Sequence, residues 1–383
     1  MPFVLDISTA VPEYCITKDK LLQFYTHALA AENMPEISKK LHFLTEKAKI
    51  TDRYSCIPDF EGEQQELFTN NVYAQSVDAR MRIFKEKIFS LATKAIDKLF
   101  KKNASLPEQV THIITVNCTG LYAPGLEFDV AKHYQIEHAE KVALNFLGCY
   151  AALKALKHAH YIAQADPTAC ILIVSAELCS IHFMPSITDE DILANLLFAD
   201  GAAAALVCGD DHPLIKNKVV LNITSIGSAC IPNTADLMTW NISSTAFRMY
   251  LSRHLVKTIK ENIQPVVDEF LSVDKSDIDY WAIHPGGVKI VEAVQESLSL
   301  SPQQVDASLQ VLQQYGNMSS PTILFILQRI LNTVRNSDAA QNKNIFACAF
   351  GPGLTVELIQ LLSVDTTVHH KSKSEATTYA VQV

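Results

Sequence analysis

The chain has 383 residues, enough for two ordinary domains or one large compact unit. Its 48% hydrophobic and 19% charged residues give a globular balance that excludes a disordered chain, and a formal charge of −9 without any Lys/Arg-rich run excludes a nucleic-acid surface. Its nine cysteines form no C-x-x-C pair and no Cys/His cluster at zinc spacing, so they read as free thiols in a reducing compartment and no metal is expected.

Residues 2–9 read as a first strand. From there to about Thr51 the chain reads as helical, with Leu21, Leu22, Phe24, Tyr25 and Leu29 at helical spacing. Near the end of that stretch Lys39, Lys40, Lys47 and Lys49 flank Leu41, Phe43 and Leu44, a pattern that suits a solvated helix face or a site for an anionic ligand. The N-terminus carries no basic segment followed by a sustained apolar core, and no stretch reaches the roughly 20 uncharged apolar residues that cross a bilayer. A cytoplasmic protein with no membrane partner is expected.

A helical pattern follows over 72–102, then a strand over 110–117 that ends in Cys118-Thr119-Gly120, a position where chemistry is often placed. After the Pro124-Gly125 turn come a helix at about 127–134 and the run 141–161. There Val142, Leu144 and Phe146 alternate as in a short strand, Leu147-Gly148 allows a tight turn, and Ala151, Ala152, Leu153, Ala155 and Leu156 are strong helix formers. Cys149 therefore falls near a helix N-terminus, where backbone N–H groups and the helix dipole lower a thiol's pKa. Read alone, the same residue also fits a buried packing thiol.

Residues 171–175 form a buried strand with polar Glu177 past its end, and 202–207 are a small-residue strand that implies a close approach of backbones. A strand over 219–226 leads into an irregular stretch at 229–240, and 244–270 reads as a helix with Pro265 as kink or boundary. A strand over 280–283 ends in His284-Pro285-Gly286-Gly287. Helices follow over 288–298, from Ser301-Pro302, and over 322–334, the last preceded by the loop Tyr315-Gly316-Asn317-Met318-Ser319-Ser320-Pro321. Two short strands surround Gly351-Pro352-Gly353, and 365–383 read as a mobile tail whose His369-His370 is a solvated pair. Strand-loop-helix units recur at 113–119 and 281–287, so two related α/β halves are expected, 1–210 and 211–364, with helices covering sheets on both faces.

Three polar elements stand out: Cys149 at a helix start, His284 at a strand end and Asn317 in a loop. Each alone is ordinary. Together they meet a chemical need, since a thiol requires a hydrogen-bonding partner and acyl chemistry requires donors for a developing oxyanion. A thiol-protease arrangement would draw on the same residue types.

The motifs around these residues are more specific. Gly148-Cys149-Tyr150-Ala151, LLFADGAAAALV (196–207), IHPGG (283–287), YGNMSSP (315–321) and FGPGLTVE (350–357) together resemble the type III polyketide synthases of the chalcone synthase superfamily, over essentially residues 1–363. The resemblance implies an α/β thiolase fold, two pseudo-duplicated halves in a layered α-β-α-β-α core, assembled as a homodimer. It implies coenzyme A thioesters as substrates, an acyl-CoA starter and malonyl-CoA, with no cofactor. Cys149 matches the family nucleophile, and His284 and Asn317 match the pair that activates malonyl-CoA for decarboxylation. Phe198 matches the gatekeeping phenylalanine and Phe247 the second aromatic; Cys118, His182, Met238 and Ser319 are assigned to the substrate cavity, which bulky His182 and Met238 are expected to reshape or shorten. Lys40 and Lys47 match two of three cations that hold coenzyme A phosphates; the third position is Phe43, with Lys39 or Lys49 as replacements. The implied reaction is repeated decarboxylative Claisen condensation that releases a pyrone or a resorcinol- or phloroglucinol-type phenol. A single-condensation enzyme resembling ketoacyl synthase III and a non-catalytic acyl-CoA-binding member are the alternatives.

Overall fold

In the computed structural model, which describes residues 1–29, 34–62, 65–68, 75–102, 106–337 and 340–367, strands and helices alternate along the chain. The first half contains β1 (Phe3–Ala10), β2 (Tyr14–Thr17), α1 (Lys18–Ala28), α2 (Pro35–Ala48), β3 (Asp52–Ser55), α3 (Val77–Phe100), α4 (Leu106–Gln109), β4 (His112–Asn117), α5 (Leu126–His133), β5 (Glu140–Asn145), α6 (Ala151–Ala165), β6 (Cys170–Leu178), α7 (Asp189–Leu197) and β7 (Asp200–Cys208). The second contains β8 (Val219–Cys230), β9 (Met238–Ile242), β10 (Phe247–Leu251), α8 (Leu255–Phe270), β11 (Tyr280–Ile283), α9 (Val288–Leu298), α10 (Pro302–Tyr315), α11 (Thr322–Arg335), β12 (Asn344–Gly351) and β13 (Thr355–Asp365).

Nine strands join in the order β11-β12-β13-β8-β1-β7-β6-β4-β5. Outward from the β8/β1 junction the two sides repeat one pattern. β1 pairs antiparallel with β7, β7 antiparallel with β6, and β6 parallel with β4; β8 pairs antiparallel with β13, β13 antiparallel with β12, and β12 parallel with β11. Apolar clusters show the layers. α3 packs on one face of the first-half strands through Phe84, Ile88 and Ile96. α6 and α11 lie between the two halves with Leu153, Leu156, Leu327 and Ile330. On the far side, Ile259 and Ile263 of α8 and Val291 and Val294 of α9 meet Trp281 and Phe346. These are the two halves and five layers that the resemblance implies. After its buried first residue Asp200, β7 carries only small or apolar residues, every one buried, because α3 presses on it from one side and the central helices from the other.

Three stretches differ from the sequence expectation. The stretch expected to be helical up to Thr51 instead holds β2, α1 and α2, because β2 pairs antiparallel with β3, which follows at Asp52, Ile16 opposite Arg53; a long-range ladder overrides local helical spacing there. The helix expected from Ser244 begins only at Leu255. Ahead of it β10 pairs with β9, with Phe247 buried and Arg248 and Tyr250 exposed, the alternation of a half-buried strand. Pro265 neither starts nor ends α8, since it sits on the exposed face, where water can take up the freed carbonyl. The irregular stretch at 229–240 holds the end of β8, which stays paired to β13 as far as Cys230 opposite Thr355, and the start of β9. β13 reaches Asp365, and Thr366 Oγ1 donates to the Ile215 carbonyl at 2.5 Å, so the chain is tied down to that point. His369-His370 lies outside the described residues.

Candidate active site

The link from β5 to α6 sets Cys149. Phe146 (φ 64°) and Gly148 (φ 86°) both take left-handed backbone, a sharp bend that costs Phe146 on the order of 1–3 kcal/mol and that Gly148 adopts freely. A Cβ on Gly148 would also collide with Pro352 of the Gly351-Pro352-Gly353 turn. Cys149 follows, 5% exposed, two residues before the first residue of α6.

The loop ahead of α11 mirrors this arrangement in the second half. The Asn317 N–H donates to the Leu197 carbonyl and its own carbonyl accepts from Ala199 N–H, each at 2.9 Å, so Asn317 is bridged backbone to backbone with Phe198. Its side-chain Oδ1 accepts from Ser319 N–H at 2.8 Å, which fixes the amide orientation. Met318 can pack beside β7 only because Gly201 has no side chain there. Cys149 Sγ lies 3.6 Å from Ser319 Oγ, and the Asn317 amide reaches the same sulfur. The thiol thus sits where the beginnings of the two central helices converge.

His284 caps β11, its N–H donating to the Cys348 carbonyl of β12 at 2.9 Å. The ring is 1% exposed, and neither nitrogen has a partner among the described residues. Burial holds this imidazole down to about 3. Burial also pushes the Cys149 thiol up to about 12; hydrogen bonds from Ser319 and Asn317 pull the other way, and the Glu177 charge adds to the rise. Desolvation therefore outweighs the helix N-terminus that the sequence favours, and the resting site holds a neutral thiol and a neutral imidazole.

Glu177, which the sequence marks only as a polar residue past a strand, is central to the scaffold. Fully buried, it accepts from Cys118 N–H (2.8 Å), Thr119 N–H (3.1 Å), the Thr119 hydroxyl (2.7 Å) and the Ser320 hydroxyl (2.5 Å). It ties the end of β4 to the Asn317 loop, and burial raises its carboxyl to about 7. β6 runs on to Leu178, so Glu177 is inside the strand and not past it; the signal available in the sequence was a carboxylate two residues beyond the run 171–175, a group that needs several donors to be buried there.

A cavity of about 920 Å³, its open mouth included, is lined by Cys118, Gly148, His182, Phe198, Phe247 and Ser319 among others; it borders Cys149 through Gly148 and Ser319, while Cys149, Asn317 and His284 themselves are not part of its wall. His182 is part of the wall, with both nitrogens occupied. Nε2 lies 2.7 Å from the Thr119 carbonyl and Nδ1 accepts from Phe247 N–H at 3.1 Å, so Nε2 carries the proton. Its ring stacks on Phe247 at 4.5 Å between centroids. Met238 is not in the wall; it packs into the second-half core with Ile231 and Trp281. Trp240, two residues on and on the same face of β9, lies opposite Met249 at the cavity, Nε1 donating to the Cys118 carbonyl at 2.8 Å, whereas Met238 lies opposite Leu251 further along that face.

The basic residues of α2 lie apart from the cavity wall. Lys40 is ion-paired with Asp189 and donates to the Ile187 carbonyl at 2.7 Å. Lys47 Nζ stands 5.5 Å from the centre of the exposed Phe43 ring, and Lys49 pairs with Glu292 at 3.4 Å. Among the described residues no group of three His, Cys, Asp or Glu side chains is placed to hold a metal ion, and no helix is long and apolar enough to cross a membrane.

Comparison with known proteins gives a consistent answer. The family model for chalcone and stilbene synthases matches through its N-terminal domain over residues 1–211 and its C-terminal domain over 222–365. The crystal structure of PKS-I from the brown alga Ectocarpus siliculosus superposes with a TM-score of 0.86 at 27% identity, covering 95% of this chain and 98% of that one. The C-terminal type III polyketide synthase domain of Steely1, a type I/III hybrid from Dictyostelium, gives 0.84 at 27% identity, covering 95% and 99%. The chain belongs to the chalcone and stilbene synthase family, the type III polyketide synthases, acyltransferase enzymes with a thiolase fold.

Proposed function

We propose that the protein condenses an acyl-CoA starter with several malonyl-CoA units and releases a pyrone or a resorcinol- or phloroglucinol-type phenol. The observation that carries this reading is the buried Cys149 thiol between the starts of α6 and α11, with His284 wholly uncommitted in its hydrogen bonding. Cys149 sulfur attacks the starter thioester, and its proton leaves with the coenzyme A thiol through the neutral His284 imidazole. Malonyl-CoA then loses carbon dioxide. The electron pair of the broken C–C bond moves onto the thioester oxygen as an enolate, which a His284 N–H and the Asn317 amide N–H stabilise. The enolate carbon attacks the Cys149 thioester and expels the thiolate, leaving a chain two carbons longer on coenzyme A, ready to return to Cys149. A neutral imidazole suits this role, because it can both accept and donate a proton.

Phe198, bridged to Asn317, gates the passage of chain and coenzyme, while Cys118, His182, Phe247 and Ser319 shape the space for cyclisation. Lys47, with Lys40 two turns earlier on the same helix and Lys49 capping its C-terminal end, draws in the coenzyme phosphates. These steps ask for no cofactor and no metal. β5 is an edge strand with exposed Phe128 beside it on α5, which supports a homodimer formed along that edge. The test is incubation of purified protein with radiolabelled malonyl-CoA and a panel of acyl-CoA starters. Extractable polyketide that depends on Cys149 is expected; a product carrying one added two-carbon unit only would favour the single-condensation reading, and no product with Cys149 unmodified would sink the proposal.

A further inference from the structure

The cavity does not end at the aromatic wall. On one side Trp240, His182 and Phe247 close it, edge to face and stacked on one another. It also runs along one face of α7 through Ala194 and Asp191, with Phe198 just past the helix end. Those residues are three or four apart, so one stripe of the helix forms the floor. Leu21, Phe60 and Phe183 line the same passage, the last two packed with ring centroids 5.7 Å apart.

The polar side chains along this passage are largely spent within the protein. The Asn195 amide donates to the Tyr25 hydroxyl at 2.9 Å and the Met184 carbonyl at 2.7 Å. Ser55 bonds to Ser180 at 2.9 Å, Arg53 donates to the Leu196 carbonyl, and Asp191 is held by Ser186 at 2.8 Å and Arg248 at 3.3 Å. Arg53 Nε is the one buried side-chain nitrogen or oxygen in the described wall left without a partner. A polar acyl group would leave its own donors and acceptors unpaired there, whereas an alkyl chain loses nothing.

We propose that the starter is an aliphatic acyl chain whose tail lies along α7 between Ala194 and the Phe60–Phe183 pair, directed away from the His182 wall. This rests on the condensing function proposed above and names its substrate class. The seven steps from Asp191 to Phe198, which follows the last residue of α7, span about 10 Å at ~1.5 Å each. With bonds of about 1.5 Å that advance somewhat less than that apiece, an extended alkyl chain needs on the order of eight carbons to fill that length.

The experiment measures kcat/KM for transfer of acetyl, hexanoyl, octanoyl and decanoyl groups from coenzyme A to Cys149, followed by mass spectrometry of the protein thioester, in the wild type and in Ala194→Val and Ala194→Phe. In the wild type each added methylene should raise kcat/KM about three- to fourfold until the passage is full. Filling the passage should lower the decanoyl-to-acetyl ratio at least 30-fold in Ala194→Phe, with Ala194→Val between; as a ratio within one protein it is insensitive to the folded fraction. A flat dependence on chain length, or an unchanged ratio in both variants because the passage holds the pantetheine arm common to all starters, overturns the proposal. Long-chain acylation of Cys149 without any malonyl-dependent extension would uphold this assignment and overturn the condensing function instead.

Discussion

His182 and His284 are both buried imidazoles, both held down to about 3 by desolvation, and they differ in one respect. His182 spends both nitrogens, on the Thr119 carbonyl and the Phe247 N–H, and stacks its ring on Phe247. His284 spends neither. Burial and a displaced pKa therefore do not by themselves mark a reagent; unspent hydrogen-bonding capacity does, because a protein rarely tolerates two orphaned nitrogens without a ligand to meet them. The first ring braces the cavity wall and the second, on the proposed mechanism, faces the enolate.

Exchanging these residues gives the largest expected effects. His284→Ala should lower polyketide formation by about 10³, as loss of an oxyanion donor does, while the melting temperature stays within a few degrees because no hydrogen bond is lost. His182→Leu should behave in the opposite way. It strands the Thr119 carbonyl and the Phe247 N–H, at a cost of about 2–4 kcal/mol for two buried groups, and should leave turnover per folded molecule within about tenfold of the wild type, since no proton it holds is used. Thermal melts beside product assays decide the matter: a His284→Ala protein that is unstable but active per folded molecule would break the contrast.

Next in size is a pH dependence. A histidine whose folded pKa is depressed contributes stability that is fully present above pH 6.5 and is lost as pH falls toward 3, with a slope of up to about 1.4 kcal/mol per unit. Glu177 and Asp200, raised by burial to about 7 and about 6, act in the other direction; their contribution is present at low pH and lost as pH rises through those values. In the wild type these terms offset one another between pH 4.5 and 6.5. The informative quantity is the difference between proteins. The destabilisation by His182→Leu should be greatest above pH 6.5 and shrink as pH falls, measured by urea unfolding across the range. A penalty independent of pH would mean that His182 is not held neutral by its surroundings.

The contrast between the two histidines was half visible in the sequence. HPGG and YGNMSS mark His284 and Asn317 by the company they keep, and the Lys141-to-Ala151 run places Cys149 at a helix start, as found. What the sequence could not convey was which hydrogen bonds are spent. That depends on residues 63 positions apart for His182 and Thr119, and 58 or 59 apart for Glu177 and its donors just past β4. Met238 differs for a related reason: its strand, β9, exists only by pairing with β10, and along their shared face Met238 lies opposite Leu251 in the second-half core while Trp240 lies opposite Met249 at the cavity. The thiol was misjudged electrostatically, since a helix start is local and legible whereas the depth of burial is not.

The smallest expected effect extends the same contrast to the surface. Lys40 is committed to Asp189 and the Ile187 carbonyl, whereas Lys47 has no ion pair among the described residues and rests near the Phe43 ring. If uncommitted groups serve the ligand, Lys47→Ala should raise KM for malonyl-CoA about two- to fivefold, the range of an exposed ion pair worth under about 1 kcal/mol, and Lys40→Ala should do less. Phe43→Arg adds a cation on the same helix face and should lower KM by a similar factor. Both changes should fade in high salt, because exposed charges are screened within roughly 10 Å at moderate ionic strength. Steady-state kinetics at low and high salt separate the cases. A larger KM increase for Lys40→Ala than for Lys47→Ala would show that the ion pair with Asp189 opens to hold coenzyme, and that commitment in the free protein is no guide to function at this surface.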